Sequence, residues 1–326
     1  MTFYPLKFKT IFKEKIWGGN KIRSILGKDF SPLSNCGEIW ELSGVNGDVS
    51  VVNNGFYKGK SLKDLVFLLK DDLLGEGIFE KTGEEFPLLI KFIDANADLS
   101  IQVHPDDKLA LERHNSLGKT EMWYLLQADE NATLISGFNR DTNADEYVDF
   151  LETGRLSELL NKERVFAKDV FNIPAGRVHT IGKGCLLAEI QQTSDVTYRI
   201  YDFDRVDKDG NKRELHTELA LDALDYKSYD SYKTQYEVSE SNKICSLVKS
   251  QYFHTSKIVL VDNKLMQEDQ SSFTILIGVD GDSTVCHNGE VYDLNYGEVV
   301  LIPAALMEYT ITPKNTKSEI LHVRLK

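Results

Sequence analysis

The alternation of polar and apolar residues is clearest in Ser100-Ile101-Gln102-Val103-His104, and it predicts a β-strand. A strand sends alternate side chains to opposite faces, so Ser100, Gln102 and His104 would share one face while Ile101 and Val103 share the other. The apolar face would pack on a core, and the face that carries an amide and an imidazole would line a pocket. This segment is therefore the first candidate for a functional site.

Helical periodicity interrupts an otherwise strand-like pattern in three stretches. Residues 61–70 place apolar residues on one face after a serine N-cap, and residues 106–114 predict a short helix. Residues 143–161 predict two helices separated near Gly154, and strand signals return over residues 165–204. Helices gathered inside a β-rich chain indicate a barrel with a small helical insert and argue against alternating βαβ units.

The C-terminal part of the chain predicts a second β-rich unit. Its strand-like runs, separated by turns that contain glycine, lie at 252–261, 272–279, 283–285 and 297–304. Their spacing is typical of a second jelly roll. We therefore expect a mainly β fold, with one domain over residues 1–240 that carries the helical insert and a second β domain over residues 241–326.

The composition is that of an acidic protein with enough apolar residues for a sizeable core. The chain has 326 residues, of which 41% are hydrophobic, and 38 basic against 51 acidic residues give a formal net charge of −13. This charge disfavours nucleic acid or an anionic membrane as the main partner, and an anionic ligand would need a local basic pocket. The candidate cations for such a pocket are Lys91, Lys119, Arg177, Arg199 and Arg205.

The cysteines and the N-terminal sequence bear on location. Cys36, Cys185, Cys245 and Cys286 form no Cys-x-x-Cys pair, so we expect reduced thiols and no disulfide framework. The first residues contain no apolar stretch of signal-peptide length, and no run approaches the roughly 20 apolar residues that cross a bilayer. These features predict a cytoplasmic location without a membrane partner.

Four potential metal ligands lie far apart in the sequence, at Gln102, His104, Glu121 and His179. Glu121 opens an apolar, aromatic run, and His179 follows a predicted strand and a Pro-Ala-Gly turn. Imidazole, carboxylate and amide ligands suit a borderline divalent ion, zinc above all, and the set contains no thiolate. The alternative is that each histidine is an ordinary hydrogen-bonded residue, which is the commoner case for a lone histidine.

Six motifs widen the comparison from single residues to most of the chain. They are Trp17-Gly18-Gly19, Gly37-Glu38-Ile39-Trp40-Glu41, Ser100-Ile101-Gln102-Val103-His104-Pro105, Gly118-Lys119-Thr120-Glu121-Met122-Trp123-Tyr124, Pro174-Ala175-Gly176-Arg177-Val178-His179 and Gln192-Thr193-Ser194-Asp195-Val196-Thr197-Tyr198-Arg199. Together they resemble the type I mannose-6-phosphate isomerases, a zinc-dependent family of the cupin superfamily, and look closest to its short bacterial branch. The resemblance implies two cupin barrels, with one zinc ion held by Gln102, His104, Glu121 and His179.

The resemblance also implies roles for other residues. The essential arginine of the family falls on Arg199, a nearby acid falls on Asp195, and a lysine proposed for proton transfer falls on Lys91. The expected substrate contacts are Trp17, Ser100, Lys119 and Arg205.

Two positions depart from the longer members of the family. Gly118 stands where they carry a histidine, so any role of that imidazole in opening the sugar ring has no side chain here. Arg205 stands where they carry a lysine. Because arginine stays protonated, Arg205 can bind phosphate or substrate but cannot carry a proton.

The implied reaction is the reversible aldose–ketose interconversion of mannose 6-phosphate and fructose 6-phosphate, by proton transfer through a cis-enediol. Such a site needs a base, charge stabilisation and a phosphate anchor. The base stays open between Lys91 and Asp195, the latter acting through a bound water. Two other functions stay open: an iron-dependent cupin oxygenase, which favours more histidines than a set with Gln102 offers, and a sugar-phosphate-binding protein without turnover.

Overall fold

The structure is a computed structural model that describes residues 2–207, 209–237 and 240–325. Strands make up 38% of it and helices 15%, which confirms the predicted mainly β fold. The chain packs into two compact units. The first unit consists of Met1–Ile11, Trp40–Lys91 and Gln235–Lys326, and the second of Phe12–Ile39 and Phe92–Thr234.

The strands before residue 202 form two sheets. They are β1 (Ile11–Lys13), β2 (Glu38–Leu42), β3 (Leu88–Asp94), β4 (Ile101–Val103), β5 (Glu121–Ala128), β6 (Thr133–Phe138), β7 (Leu160–Arg164), β8 (Val170–Ile173), β9 (His179–Ile181), β10 (Cys185–Gln192) and β11 (Tyr198–Tyr201). One sheet has the order β1-β2-β3-β10-β5-β8, and the other has the order β11-β4-β9-β6-β7.

The helices are short. They are α1 (Lys21–Ser24), α2 (Leu62–Leu69), α3 (Asp71–Leu74), α4 (Ile78–Thr82), α5 (Asp107–His114), α6 (Ala144–Glu152) and α7 (Thr217–Ala223), with a 3-10 turn at Leu156–Glu158. Helices α2 to α4 belong to the first unit, and α5 to α7 belong to the second.

The predicted helix starts are confirmed, because polar caps fix them. Asp106 accepts a hydrogen bond from the backbone of α5, and Asn143 does the same for α6. The second helix predicted after Gly154 is wrong. Gly154 takes a positive φ of 71° beyond the end of α6, and only the 3-10 turn follows before strand β7 begins.

The core of the second unit has two layers. Between its two sheets lies an apolar cluster that includes Trp123 and Phe171 from one sheet and Leu134 and Ile181 from the other. The outer face of the sheet β11-β4-β9-β6-β7 is covered by α6 and α7, which contribute Tyr147 and Ala220 to a second cluster. Ile101 and Val103 of β4 belong to that outer cluster. The alternation predicted for this segment is therefore confirmed, since Gln102 between them faces the other way.

The first unit contains the remaining strands. They are β12 (Ile244–Lys249), β13 (Phe253–Leu260), β14 (Lys264–Gln267), β15 (Thr274–Asp280), β16 (Ser283–His287), β17 (Glu290–Leu294), β18 (Val299–Ile302), β19 (Glu308–Pro313) and β20 (Ser318–Leu325). They form the sheets β12-β13-β20-β15-β18 and β14-β19-β16-β17, with Ile258, Leu276 and Ile311 in the apolar cluster of this unit.

The start of the chain packs in this same unit. Leu6 and Leu301 exchange two backbone hydrogen bonds of 2.8 and 2.9 Å. Packing thus joins the N-terminal segment and residues 40–91 to the C-terminal strands. The predicted division into domains near residue 240 stays a prediction, and the compact units divide the chain at other points.

Two features bear on the location predictions. No helix within the described residues is long and apolar enough to cross a membrane. The thiols of Cys36 and Cys185 are buried and those of Cys245 and Cys286 are half-buried, and all four cysteines are free.

The cap of α2 yields a stability prediction. Ser61 accepts a hydrogen bond from the backbone N–H of Asp64, and the Asp64 carboxylate accepts one from the backbone of Ser61, which is a complete capping box. We expect Ser61→Ala to lower the free energy of unfolding by about 1 kcal/mol. Urea denaturation followed by circular dichroism measures the change. Ser157→Ala, at an exposed serine that caps no helix, is the control, and equal midpoints for the two variants would contradict the assignment.

Candidate metal centre

Strand pairing brings the predicted ligands together in the second unit. Gln102 of β4 lies directly opposite His179 of β9 in an antiparallel pair. His104 follows β4 on the same face as Gln102, and Glu121 begins β5 in the other sheet. Residues from three distant parts of the sequence thus meet on the inner faces of the two sheets.

Two imidazoles and one carboxylate form a closely packed, buried cluster. His104 Nε2 lies 3.3 Å from Glu121 Oε1, and His179 Nε2 lies 3.8 Å from Glu121 Oε2. The potential ligand atoms of the three residues all lie within 4.8 Å of one another, and each side chain is only 1% exposed. Such spacing is compatible with a single ion bound by all three side chains.

Backbone carbonyls fix the orientation of both imidazoles. His104 Nδ1 donates to the carbonyl of Val196 at 2.9 Å, and His179 Nδ1 donates to the carbonyl of Arg177 at 2.8 Å. Because a carbonyl only accepts, each Nδ1 carries the ring hydrogen and each Nε2 carries a lone pair. Metal-binding histidines are commonly oriented in this way by a second partner.

The charge state of the cluster favours a cation. Burial lowers the pKa of His104 to about 3, helped by the Lys119 charge, and burial also lowers the pKa of His179. Burial by itself raises the pKa of Glu121, but nearby positive charge, above all that of Lys119, outweighs it and holds that pKa well below its usual range. The Nε2 atoms of the two histidines and the Glu121 carboxylate therefore face one another, and no proton lies between them.

Two atoms of the cluster are also unsatisfied. Within the described residues, His104 Nε2 and Glu121 Oε2 are buried and have no hydrogen-bond partner. Buried polar atoms rarely stay without a partner unless an ion or a functional role explains them. A divalent cation would bind both atoms, so the residues present fit a metal ion.

Gln102 is placed at the cluster with its amide nitrogen toward it. Gln102 Nε2 donates to the lone pair of His179 Nε2 at 3.2 Å, and Ser100 Oγ donates to Gln102 Oε1 at 3.3 Å. An amide binds a cation through its oxygen, so ligation by Gln102 would require the amide to rotate. Its place among the ligands stays a prediction, as does the substrate contact expected of Ser100.

Lys119 partly neutralises the buried carboxylate. Its ammonium lies 3.2 Å from Glu121 Oε1, and both side chains are buried. Residues two apart in an extended segment face the same way, which explains why Lys119 and Glu121 meet. The lysine is therefore close enough to reach anything bound at the cluster, and its predicted role as a substrate contact stays a prediction.

Arg199 lies beside the cluster, because it pairs with Gln102 across β11 and β4. Its backbone N–H donates to His216 Nδ1 at 3.1 Å, and one terminal nitrogen donates to the carbonyl of Glu214 at 2.8 Å. Its Nε is buried and, in the described part of the chain, has no hydrogen-bond partner. Burial lowers the pKa of Arg199, and the neighbouring charge of Arg213 lowers it further.

The remaining predicted residues lie in different settings. Asp195 is exposed, and Trp17 is 4% exposed in the apolar cluster between the sheets, where it has a packing role. Lys91 lies in β3, in the first unit, with its ammonium 5.0 Å from the centre of the Trp40 ring. The roles proposed for Asp195, Trp17 and Lys91 stay predictions.

Arg177, a candidate cation of the sequence, is held between two rings. Its guanidinium lies 4.7 Å from the centre of the Tyr229 ring and 4.8 Å from that of Tyr232. Burial lowers its pKa. Its backbone carbonyl orients His179, so this residue contributes to the cluster through its main chain.

Two residues of this region escaped the sequence analysis. Asp202 is buried and pairs with Arg205, and Arg213 pairs with the same carboxylate. An acid at the end of a strand between two arginines was a usable signal. The carbonyls of Val196 and Arg177 leave no such signal, because every residue has a carbonyl.

Comparison with known proteins places the chain in a family. Residues 6–132 match the family model of the phosphomannose isomerase type I catalytic domain, and residues 243–317 match that of the mannose-6-phosphate isomerase cupin domain. The mannose-6-phosphate isomerase ManA of Bacillus subtilis is 36% identical over 316 residues, which cover 95% of this chain and 96% of the relative. The chain belongs to the type I phosphomannose isomerase family. A mannose-6-phosphate isomerase of Streptococcus mutans is also 36% identical, over 94% of both chains.

Solved structures agree with this family assignment. The crystal structure of the mannose 6-phosphate isomerase from Bacillus subtilis superposes with a TM-score of 0.88 at 33% identity and covers 98% of this chain and 99% of that chain. A structure from Archaeoglobus fulgidus shares the fold, with a TM-score of 0.79 at 23% identity over 100% of this chain and 99% of that chain. Membership of this type I family confirms the predicted cupin fold.

The cluster yields a prediction about metal content. We expect His179→Ala to lose most of its bound metal and its activity together, because the substitution removes one of three converging donors. Elemental analysis of protein purified in the presence of zinc measures the ion. His287→Ala, at a half-buried histidine of the first unit, is the control and should retain the metal. Full retention of metal by His179→Ala would remove this residue from the ligand set.

Proposed function

We propose that this chain catalyses the reversible interconversion of mannose 6-phosphate and fructose 6-phosphate. Relatives that match 94–95% of this chain are named for this activity, which supports the proposal. The observation that carries it is the buried cluster of His104, Glu121 and His179, whose donor atoms face one another without a proton. Such a cluster has no structural need in a barrel core and suits a bound cation.

The proposed ion is zinc, one per chain, held by Gln102, His104, Glu121 and His179. Two imidazoles with carboxylate and amide oxygens form a borderline set that suits this ion. When bound, such an ion polarises a sugar oxygen and stabilises negative charge on it. Rotation of the Gln102 amide would complete the set, since its side chain already touches His179.

The side chains around the cluster would position the sugar. Arg199 would bind the oxygen on which charge develops, because its Nε is buried beside the cluster and has an N–H to donate. Lys119 lies at the carboxylate of the cluster and would contact a substrate oxygen, as would the hydroxyl of Ser100. Trp17 was also expected to contact the substrate. Its burial in the apolar cluster favours a packing role that supports the residues named above.

The proton carrier is proposed to be either Lys91 or Asp195. A base next to the reacting carbons is required, since a proton beside a carbonyl is only weakly acidic. Asp195 is exposed and would act through a bound water. Lys91 is buried against Trp40 and would need to be neutral to accept a proton. Separate Ala variants at the two positions, assayed for exchange of substrate hydrogen with solvent, would identify the carrier.

The proposed partner is a small sugar phosphate, and the predicted location is the cytoplasm. The net charge of −13 repels an anionic substrate at long range, so its binding must depend on local cations. Cell fractionation would test the location.

A coupled assay tests the proposed reaction. We expect the purified chain to convert mannose 6-phosphate to fructose 6-phosphate, to lose this activity with a chelator and to regain it when zinc is restored. Activity that is indifferent to the chelator would contradict the metal role. Oxygen consumption with bound iron would instead indicate a cupin oxygenase, and sugar-phosphate binding without turnover would indicate a binding protein.

The placement of Arg199 yields a second prediction. We expect Arg199→Ala to keep its metal and to lose about a hundredfold in kcat, because one charge-stabilising contact contributes about 3 kcal/mol to the transition state. Steady-state kinetics and elemental analysis measure the two effects. Arg155→Ala, at an exposed arginine paired with Asp149, is the matched control. An Arg199→Ala enzyme within twofold of the parent would refute the role.

A further inference from the structure

Two arginines share one buried carboxylate, that of Asp202, directly after strand β11. Arg205 donates from a terminal nitrogen to Asp202 Oδ1 at 2.5 Å. Arg213 donates to the same oxygen at 2.5 Å and, through Nε, to Asp202 Oδ2 at 2.7 Å. The Arg213 interaction is therefore bidentate, which fixes the plane of its guanidinium.

The chain reverses direction to make this pair of contacts. Asp202 directly follows β11, and an isolated bridge between Val206 and Lys212 returns the chain toward it. Arg213 is the next residue after that bridge. Arg205 is braced further, because its Nε donates to the Asp202 carbonyl at 3.1 Å and a terminal nitrogen donates to the carbonyl of Asp98. Both guanidiniums are thus held in place before any ligand arrives.

The cluster carries more positive charge than its carboxylate can neutralise. Arg199 lies three residues before Asp202, near enough that the charges of Arg213 and Arg205 help to lower its pKa after the larger effect of burial. Burial raises the pKa of Asp202, but Arg213 and Arg205 outweigh it and hold that pKa below its usual range, so the carboxylate is ionised. Two guanidiniums share this one buried carboxylate, while the carboxylate of Glu214 is exposed.

The arginines also retain hydrogen-bond donors. Arg213 uses Nε and one terminal nitrogen on Asp202, which leaves its other terminal nitrogen without a partner among the described residues. The side chains of Arg205 and Arg213 are 21% and 27% exposed, so a small anion can reach them from solvent.

We propose that Arg213 is a further substrate-binding residue, and that with Arg205 it binds the phosphoryl group of the substrate. The inference rests on the proposed function. A phosphate monoester is a dianion with several acceptor oxygens, which matches two guanidiniums that share one carboxylate and keep a net positive charge. A hexose phosphate carries its phosphate at the opposite end from the carbons that react. Its anchor must therefore lie about one hexose length from the metal cluster, and Arg205 and Arg213 meet on Asp202, three residues beyond Arg199 of β11.

The test compares Arg213→Gln with Lys212→Gln. Lys212 is the adjacent cation, and it pairs with Asp204 where both side chains are 63% and 71% exposed, so its substitution removes the same charge outside the proposed site. We expect Arg213→Gln to raise both KM for mannose 6-phosphate and Kd for inorganic phosphate about tenfold, as for one charge-assisted contact. Its kcat should stay within about threefold, because the contact is made equally before and during the reaction.

Titration calorimetry with inorganic phosphate and steady-state kinetics provide the measurements. Lys212→Gln should leave KM and Kd within twofold of the parent. If Arg213→Gln also leaves both constants within twofold, Arg213 serves only the ion pair with Asp202 and the proposal is overturned. If Arg213→Gln does not fold, Arg213→Lys decides, because it keeps the charge but loses the fork. We expect about a threefold rise in both constants for it, and unchanged constants overturn the proposal.

Binding of inorganic phosphate also separates this inference from the proposed function. A parent protein that binds phosphate through Arg213 but does not isomerise mannose 6-phosphate would refute the proposed function and keep the anion site. A parent that isomerises the sugar phosphate while Arg213→Gln leaves KM unchanged would refute the anion site and keep the proposed function.

Discussion

The structure depends on the burial of the Glu121 carboxylate against two neutral imidazoles. A buried charge is costly unless it is paired, and lone pairs that face a carboxylate repel it. Lys119 supplies one positive charge, but it leaves Glu121 Oε2 and His104 Nε2 unsatisfied. A cation bound between the donors would remove both penalties. Ion binding would therefore stabilise the fold of this unit, because the side chains that would hold the ion are the ones that burial leaves unsatisfied.

Each part of the second unit keeps these donors in place. Two sheets bring residues from β4, β5 and β9 onto facing inner surfaces, and an apolar cluster between the sheets excludes water. The edge of the Trp123 ring packs on His179, and its indole nitrogen donates to Glu189 at 2.9 Å. Outer helices cover the opposite face of the sheet that carries β4. The strands that carry the polar cluster are thus held by apolar packing between the sheets and on the outer face, as a preorganised site requires.

The sequence predicts the local elements well, because local chemistry determines them. Alternation places Gln102 and His104 on the inner face, and capping residues such as Asp106 fix helix starts. The missed features are all non-local. Strand β7 was hidden by helical periodicity, since its pairing with β6 decides its conformation. The approach of Arg213 to Asp202 depends on a chain reversal that spacing alone does not give.

The packing of the chain into two units could not be predicted from the sequence either. Residues 40–91 and the N-terminal segment associate with strands that lie more than a hundred residues later. The local sequence does not show whether these residues pack on the C-terminal strands or on the strands nearer in the chain, because both groups of strands are apolar. The sequence motifs identified residues that converge, namely His104, Glu121 and His179, although periodicity did not predict how the chain between them folds.

The position of Arg177 ties a surface segment to the metal ligands. Its main chain sets the tautomer of His179, while its side chain is gripped by Tyr229 and Tyr232. Tyr232 in turn donates to the carbonyl of Phe138 at 2.6 Å. The segment after α7 therefore holds Arg177 in place. Substitutions in this segment would affect the His179 imidazole through Arg177. A change at either tyrosine would therefore alter the orientation of the His179 ring without touching it.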